Sequence, residues 1–279
     1  MRLQIALLVA AAAFTAGAAQ AASVEIRDAA ARVTVVPEDR NDVKVEIVAP
    51  NARLPLTVRT EGDRTVIDGD LYHRIRGCHG MGQDGRIGIR GVGDVRWSEM
   101  PQVVIHTPRA VAIVTNGAVQ GAIGRAGSLD LHNSGCSAWT IADVAGDVTL
   151  QESGAGSVRM GASSRLDVRL SGAANIHATH VRQGLEARLS GVGDVRVDQL
   201  DGAMDAQVSG VGKVDVDGGR ASLVHASVSG MGSVAFGGVA SDLDASISGL
   251  GSVRVQEVTG SIRKSISGGG SVQVAKRPI

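Results

Sequence analysis

Neighbouring carboxylates are the first residues of this sequence whose chemistry could matter. Asp194, Asp198, Asp215 and Asp217 lie close together in the chain, and grouped carboxylates can cleave a polysaccharide or bind calcium. Asp194 follows a Gly-x-Gly motif, but the other copies of that motif do not repeat the carboxylate. They carry Ser157, Lys213, Ser233, Ser252 and Ser271 at that position. We therefore predict a solvated acidic surface and no catalytic residue.

Two groups of potential metal ligands are also weak candidates for a metal site. His177 and His180 are three residues apart, and on a β-strand that spacing directs the side chains to opposite faces. Cys78 and His79, together with His73, lack a fourth ligand. No helix follows any Gly-x-Gly motif, so none is predicted to bind phosphate. We predict no metal site and no cofactor.

Cys78 and Cys136 are the only cysteines of the chain. In an oxidising compartment such a pair can form a disulfide, provided that the two Cα atoms come within about 4.4 to 6.8 Å. The sequence alone does not give that distance, so the disulfide is a candidate.

The N-terminus has the pattern of a secretory signal peptide. Arg2 is followed by the apolar run from Ile5 to Ala16, and Ala19-Gln20-Ala21 is a cleavage pattern. We expect the mature chain to begin at Ala22 in the periplasm, outside the cell or at its surface. No later apolar run approaches the roughly 20 residues that a membrane-spanning helix needs.

The amino-acid composition limits the classes of binding partner that can be expected. The chain has 28 basic and 28 acidic residues, 38 glycines and only 2% aromatic residues. Balanced charge argues against a nucleic-acid partner. Scarce aromatic residues argue against a stacking platform for sugars. The core must consist mainly of Val, Leu, Ile and Ala.

A Ser-Gly dipeptide recurs eight times, at intervals of 18 to 20 residues. The serines are Ser134, Ser153, Ser171, Ser190, Ser209, Ser229, Ser248 and Ser267. The positions five and seven residues after each serine are apolar, and the residue between them is mostly polar. This alternation predicts strands with one buried face. The serines could form a polar stripe for a partner, but we expect them to serve the turns.

The strands should be joined at a Ser-Gly-x-Gly corner, where glycine would permit a positive φ. The apolar residue x of this motif is predicted to point inward. It is Val192, Val211, Met231 and Leu250 in four successive copies.

The repeat predicts an all-β, single-stranded parallel β-helix with coils of about 19 residues, right-handed because parallel crossovers favour that hand. Residues 1–21 are the signal peptide and 22–110 an N-terminal β cap region. An irregular excursion at 77–97, either a long loop or an extra hairpin, is the place where we expect a specific function. The β-helix follows at 111–275 and a tail at 276–279.

Polar residues interrupt two apolar columns of the repeat. Asn133 and Glu152 occupy the column that continues with Leu170, and Lys264 occupies a column of small apolar residues. A buried unpaired charge is costly, so we expect these coils to be locally opened, shifted in register or capped. Asn133 and Glu152 are therefore the candidate binding residues.

The sequence Leu-x-Ala-x-Leu-Ser-Gly-Val-Gly-Asp-Val-x-Val at 185–197, nearly repeated at 243–255, resembles the putative auto-transporter adhesin, head GIN domain family. Val-Ser-Gly-Val-Gly-Lys-Val-Asp-Val at 208–216 also carries the resemblance, which spans about 110 to 275. It implies a solenoid fold and brings no catalytic residues.

We therefore predict an exported, non-catalytic protein with an adhesive, binding or structural role at the bacterial cell envelope. Its partner would be an envelope protein or a glycan, and an oligomer is compatible with the fold. Two alternatives stay open: a β-helix enzyme acting on polysaccharide, and a periplasmic sensor or accessory module.

Overall fold

The computed structural model describes residues 23–80 and 85–276. It is a parallel β-solenoid of about nine turns, with 74% of the residues in strands and a spacing near 19 residues. This confirms the predicted fold class. Within the described ranges there is no α-helix, and hence no helix that could cross a membrane. The predicted signal peptide and residues 277–279 of the tail lie outside these ranges.

Twenty strands and one short 3-10 helix, Trp97–Glu99, make up the described chain. The strands are β1 Ser23–Glu38, β2 Lys44–Ala49, β3 Thr57–Glu61, β4 Arg64–Asp68, β5 Ile75–His79, β6 Arg86–Ile89, β7 Gly93–Arg96, β8 Gln102–Pro108, β9 Ala110–Ile123, β10 Ser128–Asn133, β11 Cys136–Ile141, β12 Val148–Glu152, β13 Ala155–Leu170, β14 Ala173–Leu189, β15 Val192–Val208, β16 Val211–Val228, β17 Ser233–Ile247, β18 Ser252–Val258, β19 Ile262–Ile266 and β20 Ser271–Lys276.

The apolar columns of the repeat form the core. Val158, Ile176, Val195 and Val214 pair in register across β13 to β16, and each is at most 1% exposed. Because like residues stack about 4.8 Å apart, the core continues along the length of the rod, mostly with small and medium-sized side chains and with Trp139 and Phe236 as large ones.

The corner serines hold adjacent coils together through their backbone. Seven of the eight donate their N–H to the carbonyl of the residue that precedes the serine one coil earlier, as from Ser190 to Leu170 at 2.8 Å, and Ser134 donates to Thr115, which precedes Asn116. The glycine after the serine is required because a larger residue would clash with the previous coil. A Cβ on Gly191 would lie 2.0 Å from the Gly172 carbonyl oxygen. The predicted positive φ occurs at the second glycine of this corner, Gly193, with φ 144°, but not at Gly191.

The residue x of the corner points outward, so the prediction that it points inward is wrong. Val192, Val211, Met231 and Leu250 are 59%, 47%, 65% and 70% exposed. In β15 the strand already begins at Val192. Period-two alternation from buried Val195 therefore places x on the outer face.

The sequence predicted that the solenoid begins at residue 111. In the structure, parallel coils already occur before that residue. Strand β1 pairs in parallel with β4, β8 and β9, although it lacks the Ser-Gly motif. Its inward residues Val24, Ile26, Val33 and Val35 are at most 3% exposed, and this alternation is sufficient to extend the stack. Strands β2 and β3 are added in antiparallel fashion, to β8 and β4.

The excursion at 77–97 belongs to a three-stranded antiparallel sheet, β5-β6-β7, which we call the side sheet. Residues 81–84 of this segment lie outside the described ranges. The side sheet has its own small core around Ile87, Val95 and Trp97. Cys78 of β5 and Cys136 of β11 are joined as a disulfide with their Cα atoms 6.2 Å apart. Cys136 occupies the outward x position of its corner, which makes it accessible to the side sheet.

The C-terminal coil is the last one in the described part of the chain. In β19, Lys264 pairs in register with Ala245, which is fully buried. Lys264 therefore lies in an inward column, but no further coil of the described chain covers it and it is exposed. Its ammonium donates to the Val272 carbonyl at 3.3 Å.

Candidate functional site

A cleft of about 1200 Å³ lies between the side sheet and the first coils of the rod. One wall comes from β6, β7 and the 3-10 helix, and the other from the outer face of β8, β1, β9, β11 and β13. Its polar lining residues are Arg32, Thr34, Arg86, Arg96, Ser98, Gln102, Gln120, Thr140, Ser157 and Arg159.

The rod contributes two outward rows of side chains. One row runs Gln102, Arg32, Gln120, Ala138 and Ser157 across the five strands. The next row runs Val104, Thr34, Ala122, Thr140 and Arg159. Small and polar residues thus form a floor between two arginines. Arg32 and Arg159 lie three strands apart, or about 14 Å along the rod.

The side sheet contributes two further arginines. Arg86 and Arg96 lie directly opposite each other on antiparallel strands, a position in which like charges repel. Arg96 has a weak partner in Glu99, at 3.4 Å, whereas Arg32, Arg86 and Arg159 form no ion pair with the described residues. Among the residues that the structure describes, no carboxylate lines the cleft.

On the same outer face of the next coils, basic side chains are paired with acidic ones. His177 pairs with Asp198 at 2.7 Å, Arg196 pairs with Asp217, and Lys213 pairs with Asp215. The charged side chains of these neighbouring coils are therefore paired, whereas Arg32, Arg86 and Arg159 of the cleft form no ion pair with the described residues.

Both tryptophans of the chain line the cleft with little exposed surface. Trp97 is 1% and Trp139 2% exposed. Trp97 donates its indole N–H to the Gly80 carbonyl at 3.1 Å, and Trp139 donates to Asn133 Oδ1 at 3.1 Å. Their ring faces are packed inside, so the cleft offers no open aromatic platform.

A buried polar ladder lies in the interior of these coils. Thr115 donates to Asn133 Oδ1 at 2.6 Å, and the Asn133 amide donates to Glu152 Oε1. All three side chains are at most 2% exposed. Burial raises the pKa of Glu152 to about 7, against a lowering effect of the hydrogen bond from Asn133. Glu152 is thus a largely protonated acid below neutral pH.

Two oxygens of this region have no partner among the described residues: Glu152 Oε2 and Ser137 Oγ. A Cβ on Gly156 would lie 3.4 Å from the first and 2.7 Å from the second. Both oxygens therefore border the same small space beside Gly156.

Asn133 and Glu152 were the candidate binding residues of the sequence, and neither lines the cleft. The expectation that their coils open or shift is wrong, because Asn133, Glu152 and Leu170 stay in continuous register. The polar side chains are accommodated by hydrogen-bonding to each other.

The corner serines line a shallow groove of about 400 Å³ that includes Ser171, Ser190, Ser209 and Ser229. The hydroxyls of Ser134, Ser153 and Ser209 donate to carbonyls one coil earlier, at 3.2 to 3.4 Å. These contacts serve the corner.

The other sequence candidates are dispersed. Asp198, Asp215 and Asp217 form ion pairs with basic residues, and His180 pairs with Asp201 at 2.9 Å. Across the described ranges, no group of three or more His, Cys, Asp or Glu side chains could hold a metal ion.

Sequence reasoning did not find the four arginines of the cleft. Arg32 and Arg159 are outward residues of ordinary strands, and Arg86 and Arg96 lie inside the excursion at 77–97. The sequence contained one signal for this site, the irregular excursion at 77–97. The repeat does not indicate which coils that excursion covers, so the facing arginines could not be predicted.

Residues 180–278 match the family model described as putative auto-transporter adhesin, head GIN domain. This confirms the resemblance over that segment. A crystal structure of a putative adhesin from Bacteroides fragilis NCTC 9343 is similar, with 17% identity, a TM-score of 0.42 and 92% of each chain covered. No curated protein matches the sequence at a significant level.

Proposed function

We propose that this protein is an exported, non-catalytic binding module of the adhesin type, acting at the bacterial cell envelope through the cleft under the side sheet. The observation that carries the proposal is the cleft itself, a concave site whose lining includes arginines without an ion-pair partner among the described residues, on a rod whose neighbouring coils pair their charges. Ligand sites are typically concave and few per protein.

The family match supports a binding role, since the family description names an adhesin. Export is supported by the N-terminal signal pattern at 1–21 and by the Cys78–Cys136 pair, because disulfides persist in oxidising compartments. Residue types in the cleft support a role without catalysis. Within residues 23–80 and 85–276, no carboxyl, His or Cys side chain lines it, and Glu152 is buried in the interior of the coils.

A steric block tests the binding role without reference to ligand charge. Ala122 is an exposed residue of the cleft floor, and Ala122→Phe would fill the space between the two walls. We expect retention on the probes that bind wild type to fall about tenfold or more, because the ring clashes with any occupant. The protein is secreted from a bacterial host with residues 1–21 in place, and its intact mass should begin at Ala22. Retention is measured on neutral, uronate-containing and sulfated oligosaccharides and on isolated bacterial envelopes.

Ala235→Phe is the matched control. Ala235 lies in the same outward row as Ala122, several coils further along the rod and away from the cleft. It should bind as wild type does. Equal retention of the Ala122→Phe variant, or a wild type that no probe retains, would show that the cleft is not the binding site.

A further inference from the structure

We infer that the cleft binds an acidic polysaccharide, an extended chain with carboxylate or sulfate groups, held between the arginines of its two walls. The inference rests on the proposed function and names the ligand class for that site.

Most of the positive charge of the cleft has no partner among the described residues. Arg32, Arg86 and Arg159 form no ion pair there, and Arg96 contacts only Glu99, at 3.4 Å. Neighbouring coils, in contrast, pair their cations on the same face. The cross-strand neighbours Arg86 and Arg96 repel each other unless an anion lies between them. Guanidinium groups bind carboxylate and sulfate-like oxygens with paired, charge-assisted hydrogen bonds.

The spacing of the arginines requires a ligand with several charges. Arg32 and Arg159 lie on strands about 14 Å apart along the rod, and the Arg86–Arg96 pair lies on the facing wall. A single small anion cannot reach both ends of the floor. The floor between them carries Gln120, Thr140 and Ser157, which can hydrogen-bond to hydroxyl groups of a chain.

The described residues of the cleft expose almost no aromatic surface, and this indicates which class of polymer it can bind. Neutral glycans and single-stranded nucleic acids are commonly bound by stacking on aromatic rings, and both tryptophans of the cleft are packed inside. Recognition here depends on charge and hydrogen bonds. An acidic polysaccharide supplies both without needing a stacking platform.

Titration of the intact, disulfide-bonded mature protein tests the inference. The probes are polygalacturonate, dextran sulfate, unmodified dextran and single-stranded DNA, followed by tryptophan fluorescence, because both tryptophans line the cleft. We expect one or both acidic polysaccharides to bind, more weakly as salt increases, and dextran not to bind. The preference between the two identifies carboxylate or sulfate as the anion.

Arg86→Gln with Arg96→Gln should weaken binding of the acidic polysaccharide by about tenfold or more, because two charge-assisted hydrogen-bonding groups are lost. The matched control, Arg254→Gln with Arg263→Gln, removes the same charge from exposed positions at the far end of the rod and should leave binding unchanged.

Three results overturn the inference: acidic polysaccharides that bind no better than dextran, equal loss in the control variant, or DNA binding that exceeds that of the polysaccharides. If Ala122→Phe still abolishes retention on another probe, the proposed function stands and only the ligand class is wrong. If Ala122→Phe has no effect either, both proposals fail.

Discussion

At the scale of a single residue, the surroundings of Glu152 in its coil change the pKa of its carboxyl group. The carboxyl stands in an otherwise apolar column, beside Asn133, Thr115 and Ser137, none of which titrates. Its pKa of about 7 in the folded chain is raised from an ordinary 4.5 by burial. The sequence indicated the broken column, but not that the two polar residues would pair, because pairing depends on the register of the coils.

The raised pKa has a defined consequence for stability. A carboxyl with a folded pKa above its unfolded value stabilises the fold fully below the unfolded pKa and loses that contribution as pH rises towards 7. Glu152→Gln keeps an acceptor for Asn133 and cannot ionise. The unfolding free energy of wild type should therefore fall by about 3 kcal/mol relative to the variant between pH 4.5 and 8. Urea unfolding at a series of pH values measures this, and parallel curves for the two proteins would contradict it.

At the scale of elements, the side sheet is the one part of the chain that the repeat does not specify. The sequence left a loop and a hairpin as alternatives for the excursion, and the structure has three antiparallel strands. Their small core and the link from Cys78 to Cys136 hold them against the first coils. Periodicity could not predict this, because the side sheet follows no register of the rod.

Removing the disulfide should loosen the side sheet selectively. We expect Cys78→Ser with Cys136→Ser to lower the unfolding free energy by about 2 to 5 kcal/mol. Amide hydrogen exchange should accelerate at Ile87 and Val95, since their sheet loses its covalent link. Val195 and Val214, deep in the rod, are the internal control. Acceleration spread evenly over all four positions would contradict a local role for the link.

For the whole molecule, the last described coil bears on whether rods can stack. Lys264 occupies an inward column in that coil, and an inward-pointing charge is a known means of blocking strand addition. We therefore expect this lysine to protect the edge of the coil.

Lys264→Val should expose an apolar end and promote association that increases with protein concentration. Sedimentation velocity of the variant measures it. Arg263→Val is the matched control, because Arg263 is the exposed neighbour on the same strand and its loss leaves the inward column charged. A monomeric Lys264→Val protein, or association of both variants, would contradict a protective role for Lys264.

The sequence by itself determined the solenoid, its 19-residue coil, the composition of its core and the family of its C-terminal segment. These properties depend on the local alternation of side chains, which repeats in every coil and can be read without knowing distant contacts. Tertiary structure decided the site. The side sheet faces particular coils through the Cys78–Cys136 link and its own core, and that placement brings Arg86 and Arg96 opposite Arg32 and Arg159. No periodicity encodes a contact between a unique segment and a repeated face, so the cleft emerges only when the chain is folded.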